Sequence, residues 1–179
     1  MRLYVERGYE QTTVADIASE AGLTARTFFR YFADKREVLF AGSEVLLQRM
    51  TEALDAAPAG SGPMQAVAAG LDAAALMLGR DHRLSAQRQM IIDANAELRE
   101  RELSKMVTIA AALTDGLRRR GVPERDARLA AETGVVVLRV AFEQWVGDQV
   151  ETDLTEVMRA TLERLSTVTT GSGPEAADG

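Results

Sequence analysis

Residues 13–39 read TVADIASEAGLTARTFFRYFADKREVL, and this stretch decides the fold. Thr13 and Asp16 stand at the spacing of a capping box, although Asp takes the place of the preferred Glu or Gln. Apolar residues follow at the spacing of one helix face, namely Val14, Ile17, Ala18 and Ala21. Gly22 comes where this helix must end, because glycine adopts the left-handed conformation without a steric penalty.

A second short helix is predicted directly after the glycine. Leu23 is expected to fill the corner between the two helices, and Thr24 can cap a helix that runs to Tyr31. Two short helices that meet at a glycine turn form the helix-turn-helix arrangement, in which the second helix enters the major groove of DNA. The stretch therefore predicts a protein that reads DNA.

The second helix carries residue types suited to that task. Phe28 and Phe32 are one turn apart and are expected to face the core. The outward side is then formed by Ala25, Arg26, Phe29 and Arg30. Residues 22–36 hold four basic side chains and one acidic one, and arginine both attracts phosphates and pairs with guanine. Thr24 and Thr27 add hydroxyl donors. The alternative is an ordinary solvated basic face with Phe29 in the core, but the glycine turn favours the first interpretation.

These residues resemble the DNA-binding segment of the TetR (tetracycline-repressor) family of bacterial transcriptional regulators. The resemblance covers roughly residues 3–42 and rests on GYEQTTVADIA (8–18), AGLT (21–24) and TFFRYF (27–32), followed by Lys35 and Leu39. It implies a homodimer, a helical ligand-binding body, and release from the operator when a small molecule binds. It also implies DNA contacts by Thr13, Thr24, Arg26, Thr27, Phe29, Arg30, Tyr31 and Lys35.

Three departures from the family pattern bear on these contacts. The family usually has Tyr at the position of Phe29, so a hydroxyl donor is missing and apolar contact remains. A small residue, often Gly, commonly stands where this chain has Arg26, so the operator sequence is free to differ from those of relatives. The family's first helix usually begins further upstream of Arg2 and often carries a basic arm, so we expect a truncated first helix here.

Composition excludes several classes of site. The 179 residues include no Cys, which excludes disulfides and thiolate metal sites. The single His, His82, has no second histidine for a metal site and no nearby serine–acid arrangement for nucleophilic catalysis. No signal peptide or bilayer-length apolar run is found, so we expect a cytoplasmic protein without membrane contact. The net charge of −6 lies wholly in residues 41–179, because residues 1–40 hold six basic and six acidic side chains. An acidic body repels non-specific DNA without preventing a basic helix from docking.

The whole chain is predicted to be all-α. Residues 1–40 form the helix-turn-helix head, residues 41–168 a helical ligand-binding and dimerisation body, and residues 169–179 a disordered tail. A D-x-x-E pattern predicts a long connecting helix over residues 34–55. Further helices are expected over 63–79, 81–94, 96–120, 124–147 and 153–168.

Residues 134–142 are apolar on nearly every side of their predicted helix. Such a helix is covered all round, which in a body of this size indicates contact with its own core and with a second subunit. We therefore expect a homodimer through the helices 124–147 and 153–168, since helix-turn-helix proteins usually read two-fold operators. The alternative is a monomeric core with the same apolar stripes.

The candidate ligand-binding residues each have an ordinary alternative. Arg139 interrupts the apolar run and could anchor an acidic effector such as a carboxylate. The alternative is an ion pair with Glu143 or Glu132. The remaining candidates either line an adaptable apolar pocket or fill the core: Met64, Met77, Met90, Met106 and Phe142.

Two functional hypotheses remain. The first is a TetR-like repressor that binds palindromic double-stranded operator DNA as a homodimer and is released by a small-molecule effector. The second is a helical enzyme or carrier protein that retains the head without operator-specific binding. The chain has no phosphate-binding loop and no dinucleotide-binding glycine motif, so neither an enzyme nor a cofactor is expected. Glu100 and Glu102 fit a solvated surface rather than a carboxylate pair for catalysis.

Overall fold

The computed structural model describes residues 1–148 and 152–171, and every regular element in these ranges is helical. The all-α prediction is therefore confirmed. The α-helices of these ranges are α1 (Arg2–Arg7), α2 (Val14–Glu20), α3 (Ala25–Tyr31), α4 (Ser43–Asp55), α5 (Pro63–Leu78), α6 (His82–Ala94), α7 (Ala96–Arg119), α8 (Glu124–Gly147) and α9 (Leu154–Thr170). Within the described part of the chain, none of them combines the length and apolar character needed to span a bilayer.

The helix-turn-helix forms as the sequence predicts. The Thr13 hydroxyl accepts a hydrogen bond from the Asp16 backbone N–H at 3.1 Å, and the Asp16 carboxylate accepts one from the Thr13 backbone N–H at 2.9 Å. Gly22 has a φ of +66°, a conformation that strains any side chain, so the turn requires glycine. The Thr24 hydroxyl accepts a hydrogen bond from the Thr27 backbone N–H at 3.2 Å and thereby caps α3.

Leu23 lies differently from the prediction. Its side chain is 44% exposed, so it does not fill the corner between α2 and α3. The turn is closed by the main chain instead, because the Leu23 N–H donates a hydrogen bond of 2.8 Å to the Ala18 carbonyl. Phe28 is buried as expected, and its ring lies 5.3 Å from the ring of the partly buried Phe32, centroid to centroid.

The single connecting helix predicted over residues 34–55 is wrong. A short 3₁₀ segment occupies Glu37–Phe40, and α4 begins only at Ser43. In a continuous α-helix the Leu39 carbonyl would accept the N–H of Ser43. It accepts a hydrogen bond of 2.8 Å from Nε of Arg88 in α6 instead. Leu39 is also buried against the body, so this long-range packing overrides the local helical pattern.

The main hydrophobic core lies between α4, α5, α7, α8 and α9. Two glycines let these helices approach one another closely. A Cβ at Gly134 of α8 would lie 2.4 Å from Cγ1 of Val67 in α5, and a Cβ at Gly70 would lie 3.0 Å from the Met50 carbonyl oxygen. The glycines therefore fix how near α5 lies to α8 and to α4.

A second hydrophobic cluster joins the head to the body. Its buried members are Tyr4, Tyr9, Leu39, Phe40, Ile91, Ile92 and Leu98. Since Ile91 and Ile92 belong to α6 and Leu98 belongs to α7, the head rests on these two helices of the body. The predicted boundary at residue 40 therefore separates head from body along the chain, but this cluster contains buried residues from both sides of it.

The last helix extends further than predicted. Asp153 caps it as expected, since its carboxylate accepts a backbone N–H at 2.7 Å. The helix continues through Thr170 and ends at Gly171, where φ is +72°. Thr169 and Thr170 of the expected tail are thus helical, and their hydroxyls donate hydrogen bonds to carbonyls of the preceding turn. The rest of that tail, residues 172–179, lies outside the described residues.

Candidate nucleic-acid interface and ligand cavity

The outward face of α3 has the composition that the sequence predicts. Phe29 and Tyr31 are 57% and 64% exposed, and Arg26 and Arg30 are exposed as well. Phe29 is therefore not a core residue, which removes the alternative interpretation of this ring. Arg26, Phe29 and Arg30 share one side of the helix because they are three and four residues apart. This side presents two guanidinium groups around an aromatic ring.

Arg30 is oriented by its neighbour Tyr31. Its Nη2 donates a hydrogen bond of 2.8 Å to the Tyr31 hydroxyl, and its Cζ lies 4.9 Å from the ring centroid. This contact reduces the freedom of the guanidinium before any ligand binds. Arg26, by contrast, has no hydrogen bond or ion pair within the residues that the structure describes.

Acidic side chains of the head are paired with other arginines. Arg7 lies 3.3 Å from Asp16, and Arg36 donates hydrogen bonds of 2.9 and 2.6 Å to Asp34. Hydrogen bonds from Thr13, together with the charge of Arg7, hold the pKa of Asp16 below its usual range. The Arg36 guanidinium does the same to the pKa of Asp34. Both carboxylates are thus ionised and neutralised locally, which leaves the arginines of α3 as the unbalanced charges of this face.

The predicted threonines lie at the starts of α2 and α3. The Oγ1 atoms of Thr24 and Thr27 are 3.0 Å apart, and the Thr13 hydroxyl takes part in the capping box. Any DNA contact by these hydroxyls would be shared with the caps that they already form.

Lys35 differs from the other predicted contacts because its ammonium group is occupied. Nζ donates hydrogen bonds to the carbonyl oxygens of Tyr9, Thr12 and Glu10 at 2.8, 3.2 and 3.3 Å. It also lies 4.3 Å from the centroid of the Tyr9 ring. Lys35 therefore fixes the loop between α1 and α2, a role that the sequence did not predict. Its DNA contact stays a prediction.

Tyr4 and Tyr9 support the same loop and were missed at the level of sequence. Each is 3% exposed, and the Tyr4 hydroxyl donates a hydrogen bond of 2.6 Å to the Lys35 carbonyl. Burial, and to a smaller extent the charge of Asp34, raises the pKa of Tyr4 to about 12, so this donor keeps its proton at neutral pH. The two tyrosines are five residues apart, which is not the spacing of a helical pair, so helical periodicity does not predict that they pack together.

A cavity of about 210 Å³ lies where α4, α6, α7 and α8 meet. Of the predicted ligand-binding residues it brings together Met106, Arg139 and Phe142. In the part of the chain that the structure describes, Arg139 forms no hydrogen bond or ion pair, so the expected alternative of pairing with Glu143 or Glu132 is not found.

The other three methionines do not join this cavity. Met77 lines a neighbouring cavity of about 360 Å³ near the end of α5. Met90 is 66% exposed, on the side of α6 next to the head. Met64, at the start of α5, packs against the main core. The prediction that all four line one pocket is corrected, because α5 and α6 direct three of them to separate places.

A charged cluster beside the cavity was not predicted. Oε1 of Glu102 lies 2.5 Å from Nζ of Lys105, and its Oε2 lies 3.0 Å from Nη2 of Arg88. The Glu102 side chain is 19% exposed, so the predicted solvated surface is wrong there, whereas Glu100 is exposed as expected. Burial alone raises the pKa of Glu102, but the charges of Lys105 and Arg88 outweigh it and lower that pKa. Burial also lowers the pKa of Lys105.

Two arginines of the body, Arg88 of α6 and Arg101 of α7, bind the 3₁₀ segment of the head. Arg101 donates hydrogen bonds of 2.8 and 3.1 Å to Glu37, and Arg88 donates one of 2.8 Å to the Leu39 carbonyl. The Cζ atoms of Arg88 and Arg101 lie 5.0 and 4.8 Å from the centroid of the Phe40 ring. The head is thus tied to α6 and α7 by charges that lie next to the cavity.

Residues 1–41 match the family described as bacterial regulatory proteins, tetR family. Over these 41 residues the chain matches the DNA-binding segment of the TetR family. The resemblance found in the residues around the glycine turn is thereby confirmed, and the family is one of DNA-binding transcriptional regulators, not of enzymes.

A curated relative supports this match. The HTH-type transcriptional regulator TcmR of Streptomyces glaucescens is 39% identical over 80 residues, which are 45% of this chain and 34% of TcmR. The matched segment thus spans about a third of the length of that relative.

Solved structures share the fold over nearly the whole chain. The fatty acid degradation regulator FadR from Bacillus halodurans has a TM-score of 0.65 at 21% identity, over 92% of this chain and 89% of that one. FadR of Thermus thermophilus, a TetR-family transcriptional repressor in complex with lauroyl-CoA, has a TM-score of 0.61 at 23% identity, over 100% and 95%. The body of this chain therefore has the fold of these regulators.

Proposed function

We propose that this protein is a TetR-family repressor of transcription that binds a palindromic operator as a homodimer, and that it leaves the operator when a small molecule binds its body. The observation that carries the proposal is the exposed side of α3, where Arg26, Phe29 and Arg30 follow the Gly22 turn. Arginine attracts phosphates and pairs with guanine, and an aromatic ring can contact a thymine methyl. The proposed site of action is the bacterial cytoplasm, where the operator DNA is found.

A second copy of the chain is the partner that we propose for α8. Leu129, Val136 and Val140 are 69%, 46% and 43% exposed, and their spacing of seven and four residues puts them on one side of the helix. Apolar side chains exposed together on one side support an interaction site. A two-fold dimer through α8 and α9 covers this side and presents two α3 helices to one operator.

The cavity of about 210 Å³ is the effector site that we propose. It is lined in part by α6, one of the two helices on which the head rests. A ligand that fits the cavity better in one arrangement of α6 shifts the population of head positions. The lauroyl-CoA held by the Thermus thermophilus FadR supports, through likeness of fold, a small-molecule effector.

Selection of bound sequences from a random DNA library, with the full chain as bait, tests the proposal. Fluorescence anisotropy on the selected duplex then measures affinity at several salt concentrations. We expect a palindromic site, two chains per duplex, and an affinity that falls steeply as salt rises, because phosphate contacts release counterions. Binding without a preferred sequence, or one chain per site, would contradict it.

A further inference from the structure

We propose that the cavity binds a small organic monoanion, with an apolar part against Met106 and Phe142 and a carboxylate between Lys105 and Arg139. The inference rests on the proposed function, since it names the chemical class of the effector for the cavity assigned above. It is carried by the charges in the cavity wall and by the size of the cavity.

The cluster at Glu102 holds more positive than negative charge. Lys105 and Arg88 share this single carboxylate, so the three side chains together carry one excess positive charge. Lys105 is 8% exposed, so water screens that charge poorly. The two cations have only one carboxylate between them, and an anion that enters the cavity would supply a second negative charge.

Arg139 of α8 adds a further cation to the cavity wall. It lines the same cavity from α8 and has no hydrogen bond or ion pair in the described ranges of the chain. Four cationic and three acidic side chains line the cavity in all: Arg88, Arg99, Lys105, Arg139, Asp93, Glu102 and Glu143. Arg99 is held by the carbonyl oxygen of Asp93, and Gln89 donates a hydrogen bond of 2.8 Å to the Asp93 carboxylate. Lys105 and Arg139 are therefore the cations best placed for a ligand carboxylate.

The rest of the cavity suits an apolar body of modest size. Its apolar lining comes from Leu46, Leu78, Ile92, Leu138, Met106 and Phe142. A volume of about 210 Å³ exceeds the roughly 150 Å³ that suffices for benzene in an apolar protein cavity. A phenyl ring with a short acid chain, or an alkyl chain of similar bulk, therefore fits this space.

The cluster at Glu102 also contacts the head. Arg88 bonds to Glu102 on one side and to the Leu39 carbonyl of the 3₁₀ segment on the other. A ligand carboxylate beside Lys105 competes with Glu102 for the two cations, Lys105 and Arg88. It thereby changes the negative charge next to the Arg88 guanidinium. The hydrogen bond from Arg88 to the Leu39 carbonyl is then the contact by which the charge of a bound ligand affects the head.

Titration calorimetry on the full chain tests the inference with two acids and their neutral counterparts. The probes are 3-phenylpropanoate against 3-phenylpropanamide, and octanoate against octanamide, so that only the charge of the head group differs. We expect each acid to bind at least about tenfold more tightly than its amide, which corresponds to about 1.4 kcal/mol. Lys105→Met and Arg139→Gln should each reduce this acid-to-amide ratio severalfold, whereas Arg83→Gln, which removes a positive charge outside the cavity, should not.

Equal affinity of acid and amide, no binding of either acid, or a full ratio in both cavity variants would overturn the inference. Arg139 is exposed, so Arg139→Gln keeps the test valid if Lys105→Met fails to fold. DNA binding is measured on the same wild-type sample. Loss of acid selectivity with intact operator binding refutes the ligand class alone, whereas acid selectivity without operator binding refutes the proposed function and leaves the ligand class supported.

Discussion

Nζ of Lys35 lies 2.8 Å from the carbonyl oxygen of Tyr9 and 4.3 Å from the centroid of its ring, so one ammonium group holds both the backbone and the side chain of Tyr9. The Tyr9 ring lies 5.5 Å from that of Tyr4 in α1, and both rings belong to the cluster that joins the head to α6. The position of the helix-turn-helix on the body thus depends on a lysine that lies outside α2 and α3.

Lys35→Met should therefore destabilise the protein. Three backbone carbonyls lose the hydrogen bond from the Lys35 ammonium group. Hydrogen bonds to a charged group contribute roughly 1.5–3 kcal/mol, so we expect a loss of that order in the free energy of unfolding. Denaturation in urea measures it. Arg26→Met removes an exposed charge that has no partner among the described residues, and should change the stability by less than about 0.5 kcal/mol. Equal stability of Lys35→Met and the wild type would contradict this role.

Arg26→Ala and Arg30→Ala should weaken operator binding by roughly 1–3 kcal/mol each if these side chains read bases. Both are exposed on the face of α3, so their loss should leave folding intact. Anisotropy with the selected duplex at fixed salt measures the affinities. Arg83→Ala removes the same charge from α6 and serves as the control. Unchanged affinity in both α3 variants would refute α3 as the recognition helix.

Local signals in the sequence were sufficient for the head and for most helix ends. The capping box at Thr13, the Gly22 turn and the cap at Thr24 act through residues three or four apart, so they can be read directly. The break before α4 could not be predicted, because it depends on Arg88 of α6, which is 49 residues from Leu39.

The candidate sites divide in the same way. The exposed face of α3 follows from helical periodicity, and so Arg26, Phe29 and Arg30 lie where the sequence predicts. The cavity depends on how helices pack together, which a one-dimensional pattern does not contain. The sequence pattern therefore predicts Glu102 at the surface although its neighbours bury it, and Met90 in a pocket although it faces outward.

Val140→Glu should convert the proposed dimer into a monomer. A carboxylate on the apolar side of α8 would be buried against α8 of the second copy in the proposed dimer, at a large desolvation cost. Size-exclusion chromatography with light scattering measures the mass. Val107→Glu is the matched control, because Val107 is 71% exposed on α7, which is not one of the two helices of the proposed interface. A dimer that persists in Val140→Glu would rule out this side of α8, and a monomeric wild type would rule out the dimer.

Glu102 should make the stability depend on acid pH. Lys105 and Arg88 hold its pKa below the ordinary value of 4.5 despite its burial, so the folded state binds a proton less readily than the unfolded state. The stability that this carboxylate contributes is fully present above about pH 4.5 and is lost as the pH falls through the lower folded pKa. The wild type should therefore lose stability more steeply than Glu102→Gln over that interval.

Urea denaturation from about pH 6 down to about pH 3 measures the two slopes. Glu102→Gln should be the less stable protein at neutral pH, because Lys105 and Arg88 then share no anion, and the two curves should converge in acid. Glu100→Gln removes an exposed carboxylate from the same helix and should retain the slope of the wild type. Parallel curves for the wild type and Glu102→Gln would mean that the charge of Glu102 does not stabilise the fold, and that the two cations beside it are balanced in another way.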